Sequence, residues 1–236
     1  MSATSPFDDF AADYDRRFSH RQPAIWLRAA VHARIEPLLV AGAEIIELGC
    51  GTGEDSIWFA RRGCRVRATD ASAGMLAQAR KKIGVLGLDS QISLQQLDLA
   101  DWRAGDMASQ PRARIVFSNF GALNCIEDLR PVFGAASECL ETGGYLAVTL
   151  MGRFCLSETI FFGARGQFTK AARRWSGSSA YRAGGEEHPV WYHAPAEVRR
   201  AAEGFREISI SGVGALLPPS EGFGLCERWP RVSRRL

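Results

Sequence analysis

The apolar positions of this chain fall into short runs that alternate with helical patterns. The first run, residues 43–49, reads AEIIELG and is typical of a buried strand that enters a glycine turn. Apolar residues then recur with helical spacing over residues 54–62 and 74–86, and Ser72 is a suitable N-cap for the second of these helices. This alternation predicts βα units on a parallel sheet.

The same pattern predicts a sheet of six strands. After the first run, the predicted strands are residues 65–70, 92–98, 113–119, 145–151 and 206–213. A helix is expected over residues 126–141, where Gly143 and Gly144 would end it, and a last helix over 195–203. Since helices that join parallel strands lie on both faces of the sheet, the predicted fold is α/β, doubly wound and mostly parallel.

Two stretches do not fit the alternation. Residues 7–39 precede the first strand and read as helical in two pieces, separated near residues 20–23. Residues 153–193 form a long insertion, rich in aromatic residues, between the fifth and sixth predicted strands. Insertions of this kind usually form lids or binding elements. We therefore predict one domain over residues 1–236, with an N-terminal helical cap (7–39) and an inserted substrate lid (153–193).

Composition narrows the class of protein. Of the 236 residues, 46% are hydrophobic and 23% are charged, which excludes global disorder, and the net charge of +3 is too small to indicate nucleic acid. No apolar run approaches the roughly 18–20 residues of a membrane span, and no secretory signal is recognisable at the start, so we expect a cytoplasmic location. The six cysteines and four histidines show no zinc spacing, and no metal site is expected.

The most specific chemistry lies in Glu47–Gly53, which reads ELGCGTG. Glycine at every second position allows positive φ angles and lets a ligand lie against the backbone, while the helix that follows offers free N–H groups to an anion. A dinucleotide site would need glycine where Glu54 stands, which disfavours a nicotinamide-dependent oxidoreductase, the competing interpretation. No Gly-Lys-Ser/Thr sequence of a P-loop occurs.

This turn resembles the first motif of the class I S-adenosylmethionine-dependent methyltransferases, acidic-x-Gly-x-Gly-x-Gly. Asp70 and Asp98 end the second and third predicted strands, where the family keeps acids for the ribose hydroxyls and the adenine amino group. Residues 7–15 (FDDFAADYD) are similar to the segment that closes over the cofactor in many small-molecule members. The resemblance covers residues 7–151 well and 194–214 in outline. It implies a Rossmann-like methyltransferase fold, with S-adenosylmethionine as cofactor and S-adenosylhomocysteine as product.

The resemblance also implies which residues contact the cofactor, and several of them have an ordinary alternative. Asp70 is otherwise a capping acid, Asp98 a solvated loop acid, Met75 a core residue and Asn119 a turn residue at a strand end. Cys50 is expected to be chemically inert. The residues predicted at the cofactor are Tyr14, Glu47, Gly49, Cys50, Gly51, Gly53, Asp70, Ala71, Met75, Asp98, Leu99, Asn119 and Phe120.

Methyl transfer from a sulfonium is an in-line displacement, so the protein mainly aligns the reactants and excludes water. A base is needed only when the acceptor carries a proton at working pH. His193, His188 and Tyr14 are the candidates, and each has a structural alternative. Residues 118–124 (SNFGALN) lack the Asn/Asp-Pro-Pro-aromatic motif of family members that methylate nucleic-acid bases or amides, which disfavours such acceptors. They also lack the trio of metal ligands found in catechol-directed members, which disfavours a magnesium-dependent mechanism.

The methyl acceptor is expected to be a small molecule with an oxygen or nitrogen nucleophile. Residues 153–200 contain eight Lys and Arg against four Glu, and Arg173 and Arg174 precede Trp175. These cations are interpreted either as recognition of an acidic group on the acceptor or as a solvated helix face. An RNA-directed methyltransferase and a non-catalytic S-adenosylmethionine-binding partner subunit stay open as alternatives. Nucleic acid is disfavoured because no RNA-binding module is recognisable.

The C-terminal part of the pattern predicts an incomplete sheet. Ile208, Ile210 and Val213 are expected to face a core. The family adds a seventh strand after the sixth, but here prolines at 218–219 and arginines within 228–235 disfavour one. We therefore predict an unfinished sheet edge, either covered by another element or paired with a second copy in a homodimer.

Overall fold

The computed structural model of the chain describes residues 7–103, 105–107, 109–183, 186–214, 217 and 219–224. Five parallel strands form the central sheet in the order β3-β2-β1-β4-β5, which confirms the predicted parallel α/β fold. These strands are β1 Glu44–Leu48, β2 Arg65–Asp70, β3 Ile92–Gln96, β4 Ala113–Ser118 and β5 Leu140–Val148. The α-helices are α1 Gln22–Ile35, α2 Glu54–Ala60, α3 Ala73–Leu86, α4 Arg130–Cys139, α5 Leu156–Gly163, α6 Phe168–Ala172 and α7 Pro195–Ala201.

Successive residues of each strand point to opposite faces, and the two faces carry separate cores. Ile45 of β1 packs in one core with residues of α1, α2 and α3. Its neighbour Ile46 packs in the other core with residues of α4, and Val198 of α7 lies against that core. Helices therefore cover both faces of the sheet, as predicted for a doubly wound fold.

The centre of the sheet creates the place for a ligand. Strand β1 pairs with β2 on one side and with β4 on the other, so Glu47 lies beside both Ala68 and Phe117. The connections leave β1 and β4 toward opposite faces of the sheet. In open α/β sheets a crevice forms at this switch point, outside the carboxyl ends of the strands.

The N-terminal cap is helical in two parts, as predicted. A short 3-10 turn (Asp8–Phe10) and a π-helical turn (Asp15–Ser19) precede α1, and the break falls at residues 20–21. The Asp8 carboxylate accepts hydrogen bonds from Ser72 Oγ at 2.6 Å and from Gly74 N at 2.8 Å. Ser72 is also the predicted N-cap of α3, because its Oγ accepts from Met75 N.

The insertion consists of the helix pair α5–α6 followed by an antiparallel hairpin, β6 Ser178–Ala183 and β7 Glu186–Trp191. This hairpin is separate from the central sheet, because β7 pairs with β6 alone among the described strands. Glu158 is buried and accepts hydrogen bonds from Arg173 Nε at 2.7 Å and Arg174 Nη2 at 2.6 Å. These two arginines therefore hold the helix pair together.

Two sequence predictions fail at the far side of the sheet. The helix α4 ends at Cys139 rather than at 141, and Gly143–Gly144 lie inside β5, where the register with β4 shifts between Ala113 and Ile115. Glycines suit such a bulge because no side chain must be packed there.

The predicted sixth strand is also wrong: residues 206–212 form no strand, and Ile208 and Ile210 are 67% and 56% exposed. Only Val213 packs against a core as expected. An apolar alternation forms a strand only where a neighbour takes up its hydrogen bonds, and no described strand lies on the outer edge of β5. The predicted absence of a seventh strand rested on prolines 218–219 and on arginines within 228–235, and of these residues only Pro219 lies in the described part of the chain.

Candidate cofactor site

The glycine turn (Gly49–Gly53) has the backbone that its sequence predicts. Gly49, Gly51 and Gly53 have φ angles of +72°, +53° and +82°, a region that other residues rarely adopt. A Cβ at Gly49 would lie 2.2 Å from the Cβ of Ala122, so the turn packs directly on the loop after β4. A Cβ at Gly51 would meet nothing within 4 Å, so at this position the backbone faces open space.

Asp70 closes the turn from the end of β2. Its carboxylate accepts hydrogen bonds from Gly51 N at 2.8 Å and from Ser72 N at 2.9 Å. Burial raises the pKa of this carboxyl group, while the two backbone hydrogen bonds oppose the shift. Each carboxylate oxygen has a second lone pair, so Asp70 caps the turn and keeps acceptor capacity for a ligand hydroxyl.

Glu47 is the most buried acid of the site. Only 2% of it is exposed, and its carboxylate accepts a hydrogen bond from Ser56 Oγ. Burial raises its pKa well above the ordinary value, and the nearby charge of Asp55 adds to the shift. A cation placed against Glu47 would restore the charged form, which makes this position suited to an ammonium group.

A network around Asp55 completes the site and was not predicted. The Asp55 carboxylate contacts Arg28 Nε at 3.1 Å and His32 Nε2 at 2.6 Å, and it accepts a hydrogen bond from Asn119 Nδ2 at 3.1 Å. Arg28 and His32 lie four residues apart on α1, so one face of the cap reaches the first turn of α2. The only sequence signal is an acid directly after the glycine turn with a basic pair at helical spacing in the cap.

Aromatic side chains cover the loop after β4. Phe120 has a φ of +51°, the one positive value among the described residues other than glycine, and strain of this kind is common at functional sites. The Arg28 guanidinium lies 4.6 Å from the Phe120 ring centroid, and the Phe18 ring meets it edge-on at 5.2 Å. Burial raises the pKa of Tyr14 to about 12, so its phenol stays protonated near neutral pH and is unsuited to act as a base.

The remaining predicted cofactor residues lie along the ends of β2 and β3. Asp98 is exposed and accepts a hydrogen bond from Ala100 N at 2.9 Å, whereas Leu99 is buried. Met75 is also buried, and the Ala71 carbonyl accepts a hydrogen bond from Gln96 Nε2 at 3.0 Å. The structure therefore brings these residues to the same edge of the sheet as Asp70.

The two histidines of the insertion contact different elements. His193 is buried, and its Nε2 is 3.0 Å from the carbonyl oxygen of Ile126, in the loop before α4. It lines a groove of about 630 Å³ together with Arg153 and Glu197. The His188 ring lies 5.4 Å from that of Tyr181 across the hairpin. A role as base stays a prediction for both histidines.

Two further groups bear on the predicted chemistry. Burial raises the pKa of the Cys50 thiol well above its ordinary value, and the charge of Glu47 adds to this, so Cys50 is a poor nucleophile.

The side-chain atoms of Asp15, His20 and Glu54 that could coordinate a metal ion lie within 4.8 Å of one another. Lys82 Nζ already contacts both carboxylates, at 2.7 and 2.6 Å, and supplies the positive charge there.

Comparisons with known proteins point to one family. A family model described as a methyltransferase domain matches residues 45–144. The ubiquinone biosynthesis O-methyltransferase of Xanthomonas axonopodis pv. citri (strain 306) is 30% identical over 162 residues, which are 63% of this chain and 62% of that protein. The demethylmenaquinone methyltransferase of Clavibacter sepedonicus is 30% identical over 145 residues, 60% of this chain and 55% of that protein. The chain thus spans about three fifths of the length of these relatives.

A solved structure extends the likeness to the whole fold. The phosphoethanolamine N-methyltransferase 2 of Haemonchus contortus, in complex with S-adenosyl-L-methionine, aligns with a TM-score of 0.65 at 19% identity. The alignment covers 96% of this chain and 47% of that one. The chain is thus similar to a methyltransferase domain over residues 45–144 and shares the fold of a solved S-adenosylmethionine-dependent methyltransferase, in agreement with its parallel sheet and with the acid and three glycines of the turn.

Proposed function

We propose that the chain transfers a methyl group from S-adenosylmethionine to a small-molecule acceptor with an oxygen or nitrogen nucleophile. The observation that carries this proposal is the glycine turn, whose Gly51 faces open space and is hydrogen-bonded to the half-buried Asp70, while the buried Glu47 lies at the end of the strand that enters the turn. The turn belongs to a single domain in which the cap and the insertion flank the site.

The residues of the site fit the cofactor. Asp70 has lone pairs left for the ribose diol, Glu47 is placed for the cationic amine, and the backbone at Gly51 permits close approach. We propose that the cofactor is held by Tyr14, Glu47, Gly49, Cys50, Gly51, Gly53, Asp70, Ala71, Met75, Asp98, Leu99, Asn119 and Phe120. When bound, it supplies a methyl group that is already activated for displacement.

The chain's own residues then align the reactants and exclude water. Phe18 and Phe120 form an apolar wall, and the neutral Tyr14 phenol is available as a hydrogen-bond donor. Arg28 lies over Phe120 and is the cation nearest this wall. We therefore propose that Arg28 binds a carboxylate group, either of the cofactor or of the acceptor. Arg28 takes the place of Arg173 and Arg174, which share the single carboxylate of Glu158 and link the two helices of the insertion. Transfer is proposed to need no metal, and His193 or His188 would serve only an acceptor that must lose a proton.

The named relatives support a small-molecule acceptor, since two of them are methyltransferases of ubiquinone biosynthesis and of demethylmenaquinone. The outer edge of β5 has no strand partner among the described residues, which supports the predicted homodimer as a proposal.

Calorimetric titration with S-adenosylhomocysteine tests the proposal. The wild-type chain is expected to bind it, and Asp70→Ala should weaken binding by more than about threefold, because two ribose hydrogen bonds are lost. Asp101→Ala, which removes an acid from the loop after β3, is the matched control. Tight binding of NAD(P) without binding of S-adenosylhomocysteine would overturn the assignment.

A further inference from the structure

The helix pair α5–α6 carries apolar side chains that the described chain leaves uncovered. We call these five residues the apolar surface: Phe154 (66% exposed), Leu156 (45%), Ile160 (60%), Phe168 (72%) and Trp175 (58%). They are five of the eleven large hydrophobic side chains exposed in the described part, and they include all of its exposed large aromatic ones. All five fall within residues 154–175, and exposed apolar side chains at this density are typical of an interaction surface.

Helical geometry explains why these side chains point outward. Glu158 and Phe162 lie four residues apart on α5, and both are buried against the rest of the insertion. Leu156 and Ile160 are displaced from them by two residues, about 200° around the helix axis, so they lie on the opposite side. Contacts between the two helices, including Thr159 Oγ1 to Ala171 O at 3.3 Å, hold the pair as a unit.

The same stretch of chain, residues 154–175, also carries positive charge that no acid neutralises. Between residues 152 and 183 the sequence has a single acid, Glu158, which is buried and paired with Arg173 and Arg174. Arg165 and Lys170 have no carboxylate partner in the described part of the chain. The Arg165 guanidinium lies 3.7 Å from the Phe161 ring centroid, so this charge is directly beside aromatic carbon.

We propose that the apolar surface docks on a lipid bilayer that contains anionic headgroups. The aromatic and aliphatic side chains would enter the boundary between headgroups and acyl chains, while Arg165 and Lys170 contact lipid phosphates. No helix in the described part of the chain is long and apolar enough to cross a bilayer, so the docking is peripheral. It goes beyond methyl transfer and would give the site access to acceptors dissolved in the membrane.

Other occupants fit the charges less well. A symmetric contact between two copies would bring Arg165 and Lys170 of both chains together without acids to balance them. A nucleic acid strand needs a track of free cations, and here Arg173 and Arg174 are engaged by Glu158.

Sedimentation of the full chain with phospholipid vesicles tests the proposal. We expect binding to vesicles of phosphatidylcholine and phosphatidylglycerol (3:1), and much weaker binding to pure phosphatidylcholine. The double variants Ile160→Ser/Phe168→Ser and Arg165→Glu/Lys170→Glu should each weaken binding at least about tenfold. Val85→Ser, which removes an apolar side chain that is 87% exposed on α3, should bind like the wild type.

Trp175 gives a second readout. Its fluorescence should shift to shorter wavelength when vesicles are added, and Trp175→Phe should lose this component of the shift while still sedimenting. Failure of the wild type to bind anionic vesicles would overturn the proposal, as would equal loss of binding in Val85→Ser. A wild-type dimer that Ile160→Ser/Phe168→Ser converts to monomer would instead show a contact between copies. S-adenosylhomocysteine affinity, measured on the same preparations, reports on the proposed function separately.

Discussion

Glu47 is held where its charge is unfavourable in the absence of a ligand. Because burial and Asp55 raise its pKa, the folded protein holds a proton more tightly than the unfolded chain does. The free energy of unfolding of the ligand-free protein should therefore fall as pH rises from the ordinary glutamate pKa through the raised one. In Glu47→Gln, which keeps an acceptor for Ser56 Oγ, urea unfolding between pH 4.5 and 8 should show a smaller fall.

Ligand binding should have the opposite pH dependence at this residue. Since the ammonium group of S-adenosylhomocysteine favours ionised Glu47, wild-type affinity should increase with pH over the same range, and Glu47→Gln should respond less. Glu44→Gln, a charge removal at the other end of β1, is the matched control and should keep the wild-type profiles. Identical pH profiles for Glu47→Gln and the wild type would show that Glu47 does not contact the amine.

The sequence predicts the residues whose role follows from their own position on a strand. Glu47 and Asp70 stand at strand ends and the three glycines occupy a turn, so a local pattern is enough to place them. Asp55 was missed because its partners Arg28 and Asn119 are 27 and 64 residues away in sequence. Such a network depends on how α1 packs on the sheet, which periodicity does not specify.

At the scale of elements, the insertion depends on one buried ion cluster. Burial alone would raise the pKa of Glu158, but hydrogen bonds from Arg173 and Arg174 outweigh this and lower it. Its stabilising effect is therefore present above the ordinary glutamate pKa and is lost as pH falls through the lowered value. Glu158→Gln should destabilise the helix pair by about 1–3 kcal/mol at neutral pH, because two arginines lose their carboxylate.

Hydrogen exchange measured on peptides from residues 154–176 would detect this change. In Glu158→Gln these peptides should exchange faster than in the wild type, whereas exchange in β1 and β4 should stay the same. The control is Glu197→Gln, which breaks the exposed pair with Arg153 and should cost at most about 1 kcal/mol. Unchanged protection of residues 154–176 in Glu158→Gln would contradict the assignment of Glu158 as the link between α5 and α6.

The elements that were predicted wrongly share a physical cause. Residues 206–213 have the alternation of a strand, yet a strand needs a hydrogen-bonding neighbour, and β5 and this segment are not paired. Gly143 and Gly144 read as a helix end, but the bulge that accommodates them is set by pairing with β4. Strands β1 to β4 were predicted to within two residues because each is bounded by its own turn residues, whereas β5 begins at Leu140, five residues before its predicted start.

At the scale of the whole molecule, the cap is fastened to the central domain at three places around the site. Asp8 contacts the start of α3, Asp15 contacts Thr52 of the glycine turn and Lys82 of α3, and Arg28 contacts Asp55 of α2. Asp8 and Asp15 fix α3 and the glycine turn, which are predicted to hold the adenosine part of the cofactor. Arg28 is the one that also reaches Phe120, so it joins the cap to the loop after β4.

This position allows a structural role of Arg28 to be separated from a binding role. Arg28→Met should lower the free energy of unfolding by about 1–3 kcal/mol, since buried Asp55 keeps only His32 and Asn119 as partners. If Arg28 holds the carboxylate of the cofactor, the variant should bind S-adenosylhomocysteine at least about tenfold more weakly. Methylthioadenosine, which lacks the amino-carboxylate group, should bind to Arg28→Met as tightly as to the wild type.

The control variant Arg34→Met, on the exposed side of α1, should change the affinity for neither ligand. Equal weakening of both ligands by Arg28→Met would show that Arg28 only supports the fold. An effect on neither ligand would assign its charge to the acceptor instead.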